Sequence, residues 1–193
     1  MTSKLKTDVL ETVSGSGTIA LTNQLSGMTS ASMPSGSVLQ VVSVTKSDTF
    51  TYTGSTTFQD VTGLAATITP LSTSSKILVE LNINLSGSQR YHAAKILRGS
   101  TQIGMGDASS NRPQVTVGTG SNNDESNQEY MMRNSSASYL DSPSTTSATT
   151  YKIQVGNSNN ASSVTYVNRT PNDSDHNWAQ RGISTITITE IKG

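Results

Sequence analysis

The chain of 193 residues holds two histidines, His92 and His176, and a base for hydrolytic chemistry would have to be one of them. A hydrolase triad needs a nucleophile, a base and an orienting acid that converge in space. Serine is so abundant that Ser/His/Asp coincidences along the chain carry no weight. His92 follows Tyr91 at the start of a strand pattern, the setting of a structural residue. No closely spaced carboxylate pair has the sequence setting of a glycosidase. No enzyme activity is expected.

Metal and phosphate chemistry fare little better. Asp173, Asp175 and His176 share a polar loop with Asn172 and Asn177. Oxygen-rich loops of this kind can hold Ca²⁺. The ordered Asp/Asn-Gly-Glu pattern of a calcium hand is missing, so the expectation is a solvated loop with no metal. Asp124 and Glu125 are read the same way. GSGT at 15–18 and GTGS at 118–121 lack the Lys-Ser/Thr ending and the strand-to-helix setting of a phosphate loop. The chain has no cysteine, which removes disulfides, thiolate zinc sites and a thiol nucleophile. No cofactor is expected. Asn84, Asn134, Asn160, Asn168 and Asn172 begin formal N-glycosylation triplets, which arise by chance in a chain this rich in Ser and Thr.

The single tryptophan, Trp178, lies in the polar stretch DSDHNWAQRG. Aromatics in such loops stack on sugar rings or anchor interfaces. The expectation for the side chain itself is the plainer one, that it folds back and caps a core. The alternative is a contact residue, and Trp178, Asp175, His176 and Arg181 are then the candidate contacts to a glycan or to a partner's surface. Tyr52, Tyr139, Tyr151 and Tyr166 fall in strand patterns and are expected in the core or along an axis between subunits.

Composition limits what these residues can serve. Thirteen basic side chains balance thirteen acidic ones, and charged residues are only 13 % of the chain. Nucleic-acid backbones demand clustered positive charge, so no nucleic-acid partner is expected. A polybasic membrane patch is excluded on the same ground. No apolar run reaches bilayer-spanning length, and residues 1–20 lack a signal-peptide core. No membrane insertion is expected.

The apolar residues are few but patterned. KILVELNINL has the cleanest alternation, with Ile77, Val79, Leu81, Ile83 and Leu85 on one face. TYKIQV alternates Tyr151, Ile153 and Val155. The closing GISTITITEIKG puts Ile186 and Ile188 in phase, with Ile183 and Ile191 out of it, which predicts a bulge or exposed strand ends. SVLQVVSV is apolar on both faces, as in a buried strand. FTYTGSTTF reads as a hairpin around Gly54, and AAKILRGSTQIG as a second hairpin turning at Arg98–Ser100. LAATITP is a strand stopped by Pro70. Residues 107–128 read as a long loop or a weak strand between loops, and SVTYVN as a further strand. Eight to ten short strands without helical periods predict an all-β antiparallel jelly-roll sandwich.

Residues 1–36 stand apart. Leu5, Val9, Leu10, Val13, Ile19 and Leu21 are set among Gly and Ser, and Pro34 and Gly36 close the stretch as a linker. A segment this small cannot bury its own apolar residues and needs a partner. The chain is therefore divided into 1–36, a short extended N-terminal attachment segment and linker, and 37–193, a head domain.

The opening SKLKTDVLETVSGSGTIALTNQLSG resembles the first segment of many tailed-phage fibre and virion proteins, particularly of marine phages. ASMPSGSVLQVV resembles their linker and first head strand. FQDVTGLAATITPLSTSSKILVELN, LRGSTQIG, YLDSPSTTSATTYKIQVGN, VTYVNR and STITITEI resemble their C-terminal module. The resemblance covers nearly the whole chain, and none of its motifs is catalytic. It implies a homotrimeric head like the tumour-necrosis-factor or complement-C1q jelly roll. It also implies a place on the virion surface, as a fibre or spike subunit contacting a host-surface glycan or protein. The alternative within the same resemblance is a capsid decoration or head-fibre protein held to the shell by its N-terminus. Either way the other partners are virion proteins of the tail, fibre or capsid. The loops 107–128 and 169–182 match no part of the family pattern, which is where contact residues are expected.

Overall fold

Alternating short runs of Val, Ile, Leu and Thr have one low-energy outcome here, strands that each bury one face. The computed structural model describes residues 29–54, 57–87, 91–119, 128–157 and 163–193. The chain divides into two units, Met1–Met33 and Pro34–Gly193. In the first unit a 3₁₀ turn is described at Ser30–Ser32. Leu5, Val9, Leu10, Val13, Ile19 and Leu21 lie outside the described residues.

The second unit carries eleven strands among the described residues. They are β1 (Val38–Lys46), β2 (Phe50–Thr53), β3 (Phe58–Ile68), β4 (Lys76–Gly87), β5 (His92–Arg98) and β6 (Thr101–Ile103). After them come β7 (Val117–Thr119), β8 (Arg133–Asp141), β9 (Thr149–Asn157), β10 (Val164–Val167) and β11 (Ser184–Ile191). No α-helix occurs among the described residues, and no helix there is long and apolar enough to cross a membrane.

Two antiparallel sheets pack face to face. The first runs β1-β11-β4, with β10 and β2 continuing beside the far end of β4 and β8 on its other side. The second runs β3-β9-β5, with β6 and β7 both on the outer side of β5. The chain crosses between the sheets at six of the ten connections between these strands, as in a jelly-roll sandwich.

The core lies between the sheets. Ile77, Val79, Leu81, Ile83 and Leu85 of β4 meet Ile96 of β5 and Tyr151, Ile153 and Val155 of β9. Ile186 and Ile188 of β11 join the same cluster. Each fully buried aliphatic side chain stabilises the fold by about 1.5–3 kcal/mol relative to exposure. Ile183, the residue before β11, is 55 % accessible, while Ile191 at the far end is half-buried. A bulge does occur opposite Ile191, but on the partner strand, between Val38 and Gln40 of β1; a second irregularity lies between Asp60 and Ala65 of β3. Gly63 sits inside the second of these at φ +80°, a backbone state that glycine adopts without a steric penalty.

Two strand expectations are corrected. β1 is not buried on both faces. One face lies toward the other sheet, where Val42 and Val44 pack on the core, and among the described residues no layer covers the other face, so Val41 is exposed, as is Val38 at the strand start. FTYTGSTTF is not a hairpin. β2 pairs with β10 in the first sheet and β3 with β9 in the second, so the segment is a crossover between sheets. The second expected hairpin is present, with β5 and β6 pairing across Gly99 and Ser100.

Polar pins close the ends of the sandwich. Asp141 of β8 is buried and accepts from Arg98 Nη1 at 2.9 Å on both oxygens and from Tyr151 Oη at 2.7 Å. Arg98 and Tyr151 belong to the second sheet, so this carboxylate ties the sheets together. Burial, and then the bond to Asp141, push the Tyr151 phenol well above its ordinary value. Glu190, fully buried, accepts from Leu71 N at 2.8 Å and from Gln40 Nε2 at 2.5 Å, which fixes the turn after β3. Tyr52 packs partly against the core, and Tyr139 is 38 % exposed on β8.

Replacing Tyr151 by Phe leaves Asp141 short of one donor and is expected to cost about 1–3 kcal/mol in denaturant unfolding at pH 7. The folded state keeps the phenol protonated well above 10.0, the ordinary tyrosine value at which the unfolded chain releases its proton. Its contribution is therefore complete below that pH and is lost as pH rises further. The difference between wild type and Tyr151→Phe should narrow in alkaline solution. A difference that stays constant from pH 8 to about pH 11 would contradict the assignment.

Candidate functional site

The longest described excursion from the sandwich leaves β10 at Val167 and returns at β11. Its neck is a short ladder. Arg169 bridges Arg181, Thr170 N donates to Gln180 O at 3.3 Å, and Gly182 N donates to Asn168 O at 3.0 Å. A Cβ at Gly182 would come within 2.9 Å of Asn84 Nδ2 and of the Met132 methyl, so a larger residue there would displace those two side-chain ends from the neck.

Asn168 anchors the neck from below. It is fully buried at φ +63°. Its amide donates to Lys46 O at 2.8 Å and Asp48 O at 3.0 Å, and its Oδ1 accepts from Ser184 Oγ at 2.6 Å. Asparagine tolerates the left-handed region better than most side chains. The formal glycosylation triplet at Asn168 is therefore a structural joint, with its nitrogen committed inside the protein.

Charge holds the middle of the loop. Asp173 accepts from Arg181 at 2.9 Å (Nε) and 2.6 Å (Nη2), and Arg169 Nη1 approaches its other oxygen at 3.6 Å. The Arg169 guanidinium lies 3.8 Å over the Tyr166 ring and donates to Pro171 O at 3.2 Å. Exposed ion pairs of this kind are worth little each, about 0–1 kcal/mol, but together they give the loop one shape.

The tip docks on a second segment. Asn172 N donates to Glu129 O at 2.8 Å, and Asn172 Nδ2 donates to Tyr130 Oη at 3.1 Å. Glu129 and Tyr130 belong to the 3₁₀ turn Gln128–Tyr130 that precedes β8. Three aromatic rings meet there. Trp178 lies 4.7 Å from His176 and 5.8 Å from Tyr130, both edge to face, and Tyr130 lies 6.3 Å from His176. Such contacts contribute about 0.5–1.5 kcal/mol each beyond burial. Trp178 N also donates to His176 Nδ1 at 3.3 Å.

The expectation that Trp178 caps the core is overturned. The indole is 61 % exposed, because the ladder at the neck holds residues 170–180 out from the sandwich. Of the four candidate contacts, the structure brings His176 and Trp178 together. Arg181 is engaged with Asp173. Asp175 is exposed and makes no ion pair among the described residues. In the stretch 107–128, residues 120–127 lie outside the described residues. Its described part contains β7, which pairs with β5, and a turn closed by Ser109 and Arg112. Tyr130 and Asn172 were not legible as site residues. Tyr130 stands three positions ahead of β8, outside any alternation that would mark it.

Two further places among the described residues were candidates for chemistry. His92 is buried at the start of β5, with Nδ1 2.8 Å from Thr165 Oγ1. A shallow depression of about 480 Å³ on the outer face of the first sheet is lined by Glu80, Asn82, Ser136, Ser138, Thr185 and Thr187. It offers one carboxylate and no second acid or histidine. Among the described residues no three His, Asp or Glu side chains form a metal-binding group. No protein-family model matches the chain, and no curated protein matches it.

Since the indole is exposed and is held only by its two edge contacts, Trp178→Ala is expected to cost roughly 1 kcal/mol, well short of the roughly 3–5 kcal/mol of a core aromatic. Thermal unfolding of the full chain checks this, and early melting would return the side chain to a core role.

Proposed function

We propose that the chain is a non-enzymatic structural subunit of a tailed-bacteriophage virion, a homotrimeric fibre or spike head. Residues 1–36 attach it to other virion proteins, and the 169–182 loop faces the host surface. One observation carries the reading: an exposed aromatic group, Trp178 with His176 and Tyr130, is held in one shape on a rigid β-scaffold. Scaffolds that bind through loops are built in this way. The resemblance of the linker and strand segments to phage fibre heads supports the virion setting.

The outer face of the first sheet supports self-association. Register places Val41, Thr189, Leu78 and Leu140 in one row across β1, β11, β4 and β8. Val41 is 57 % and Leu140 52 % exposed. The neighbouring rows are small and polar, Ser43-Thr187-Glu80-Ser138 and Thr45-Thr185-Asn82-Ser136. Small side chains let a second surface approach closely. The edge strand β8 also carries no proline or lysine, the usual guards against pairing. Closed cyclic assembly covers such a face without open-ended growth.

Light scattering of the full chain at micromolar concentration is expected to give a trimer mass, and a monomer mass would overturn the assembly. A chain beginning at Pro34 keeps the bond from Gly36 N to Lys192 O. It should still assemble yet fail to enter particles, and normal incorporation would refute the attachment role. Particles carrying Trp178→Ala should adsorb to cells about tenfold or more slowly, the scale of losing one aromatic anchor.

A further inference from the structure

We infer that the Tyr130–His176–Trp178 cluster is a binding site for a neutral pyranose sugar. The inference rests on the reading of this loop as the host-facing surface and narrows it to one ligand class.

The argument starts from what surrounds the indole. Within residues 171–182 Trp178 is the one large apolar side chain that is exposed, and in sequence only Met131 beside Tyr130 and Ile183 beyond the neck add to it. Its neighbours in sequence are Asp175, His176, Asn177 and Gln180. A protein partner needs a dry core of several apolar residues, with about 800 Å² buried on each side. One aromatic ring ringed by amides and a carboxylate is the wrong surface for that. It suits a ligand with one apolar C–H face and a rim of hydroxyls.

Preorganisation supports the same conclusion. His176 and Tyr130 meet Trp178 edge to face, at 62° and 84°, so its ring plane is set before any ligand arrives. The loop beneath is already fixed by Asn172, Asp173 and Arg181. A small ligand with few contacts gains most from a site that does not have to be ordered on binding.

Charge selects among sugars. Arg169 and Arg181 are both directed at Asp173. Asp175 and Glu129 are exposed and make no ion pair among the described residues. The two arginines stand against three carboxylates, so the site carries a net charge of about −1. Acidic sugars are repelled, while the unpaired Asp175 carboxylate is a strong acceptor for a sugar hydroxyl.

Trp178 is the sole tryptophan, so its fluorescence reports this site and no other. The full chain would be titrated with methyl glycosides of glucose, galactose, mannose and N-acetylglucosamine, and with N-acetylneuraminic acid, each to about 50 mM, a range suited to millimolar affinity. At least one neutral glycoside should give a saturable change. Asp175→Asn should weaken that binding about tenfold, the scale of a lost charged hydrogen bond, with unchanged thermal unfolding. No response to any neutral glycoside, or tighter binding of N-acetylneuraminic acid, would overturn the inference. If Trp178→Ala particles adsorb poorly while no glycoside binds, the ligand is a protein: the sugar inference fails and the host-facing reading stands. If a neutral glycoside binds but Trp178→Ala particles adsorb normally, the sugar site stands and the host-facing reading fails.

Discussion

Strand β4 is the member on which the rest of the sandwich depends, because it hydrogen-bonds to three others. β11 and β10 share one of its edges and β8 takes the other. Its five inward side chains, Ile77 to Leu85, are all buried. A register slip of one residue would turn all five to solvent and bring Glu80 and Asn82 into the core. That penalty fixes the register of β4, and the register of β4 fixes those of its three neighbours. The outer row Val41-Thr189-Leu78-Leu140 is the reverse side of the same constraint.

A thin core leaves the sandwich ends to polar groups. Asp141, Glu190 and Asn168 are each buried and each bonded to at least two partners from other elements. Removing one member strands the others without solvent, which costs more than a surface bond is worth. These joints specify geometry where aliphatic packing runs out. The joint at Asn168 lets the 169–182 loop leave the sandwich at a fixed angle, and it ties β1, β4 and β11 to that exit.

Much of this was legible in the sequence, and the divide follows physical lines. Period-two alternation marks β4, β9 and β11 because each has one buried face. The turn at Arg98–Ser100 marks the β5–β6 hairpin because the pairing is local. β1 was misread because the valines of SVLQVVSV look alike, and only the strand order shows that one set has no cover. The β2–β3 segment was misread because a crossover between sheets and a hairpin need the same turn residues. In the site, Trp178 and His176 could be picked out by type and setting. Tyr130 could not, since it reaches the loop through a contact 42 to 48 positions distant in sequence. Asp173 was read as a solvated acid, because its pairing with Arg181 depends on the ladder at the neck.

The strand order β1-β11-β4 also sets a timetable for synthesis. The first strand of the sandwich borders only the last one, so β1 has no partner until residues 184–191 have been made. The first sheet cannot close progressively as the chain emerges from the ribosome. Until then β1 and the first half of β4 each present an unpaired edge, so the nascent chain carries two open strand edges while the intervening strands are made. Pairings this distant close slowly. Folding of the sandwich is therefore a contest between pairing β11 and aggregating, and deleting β11 removes the seam that joins β1 to β4.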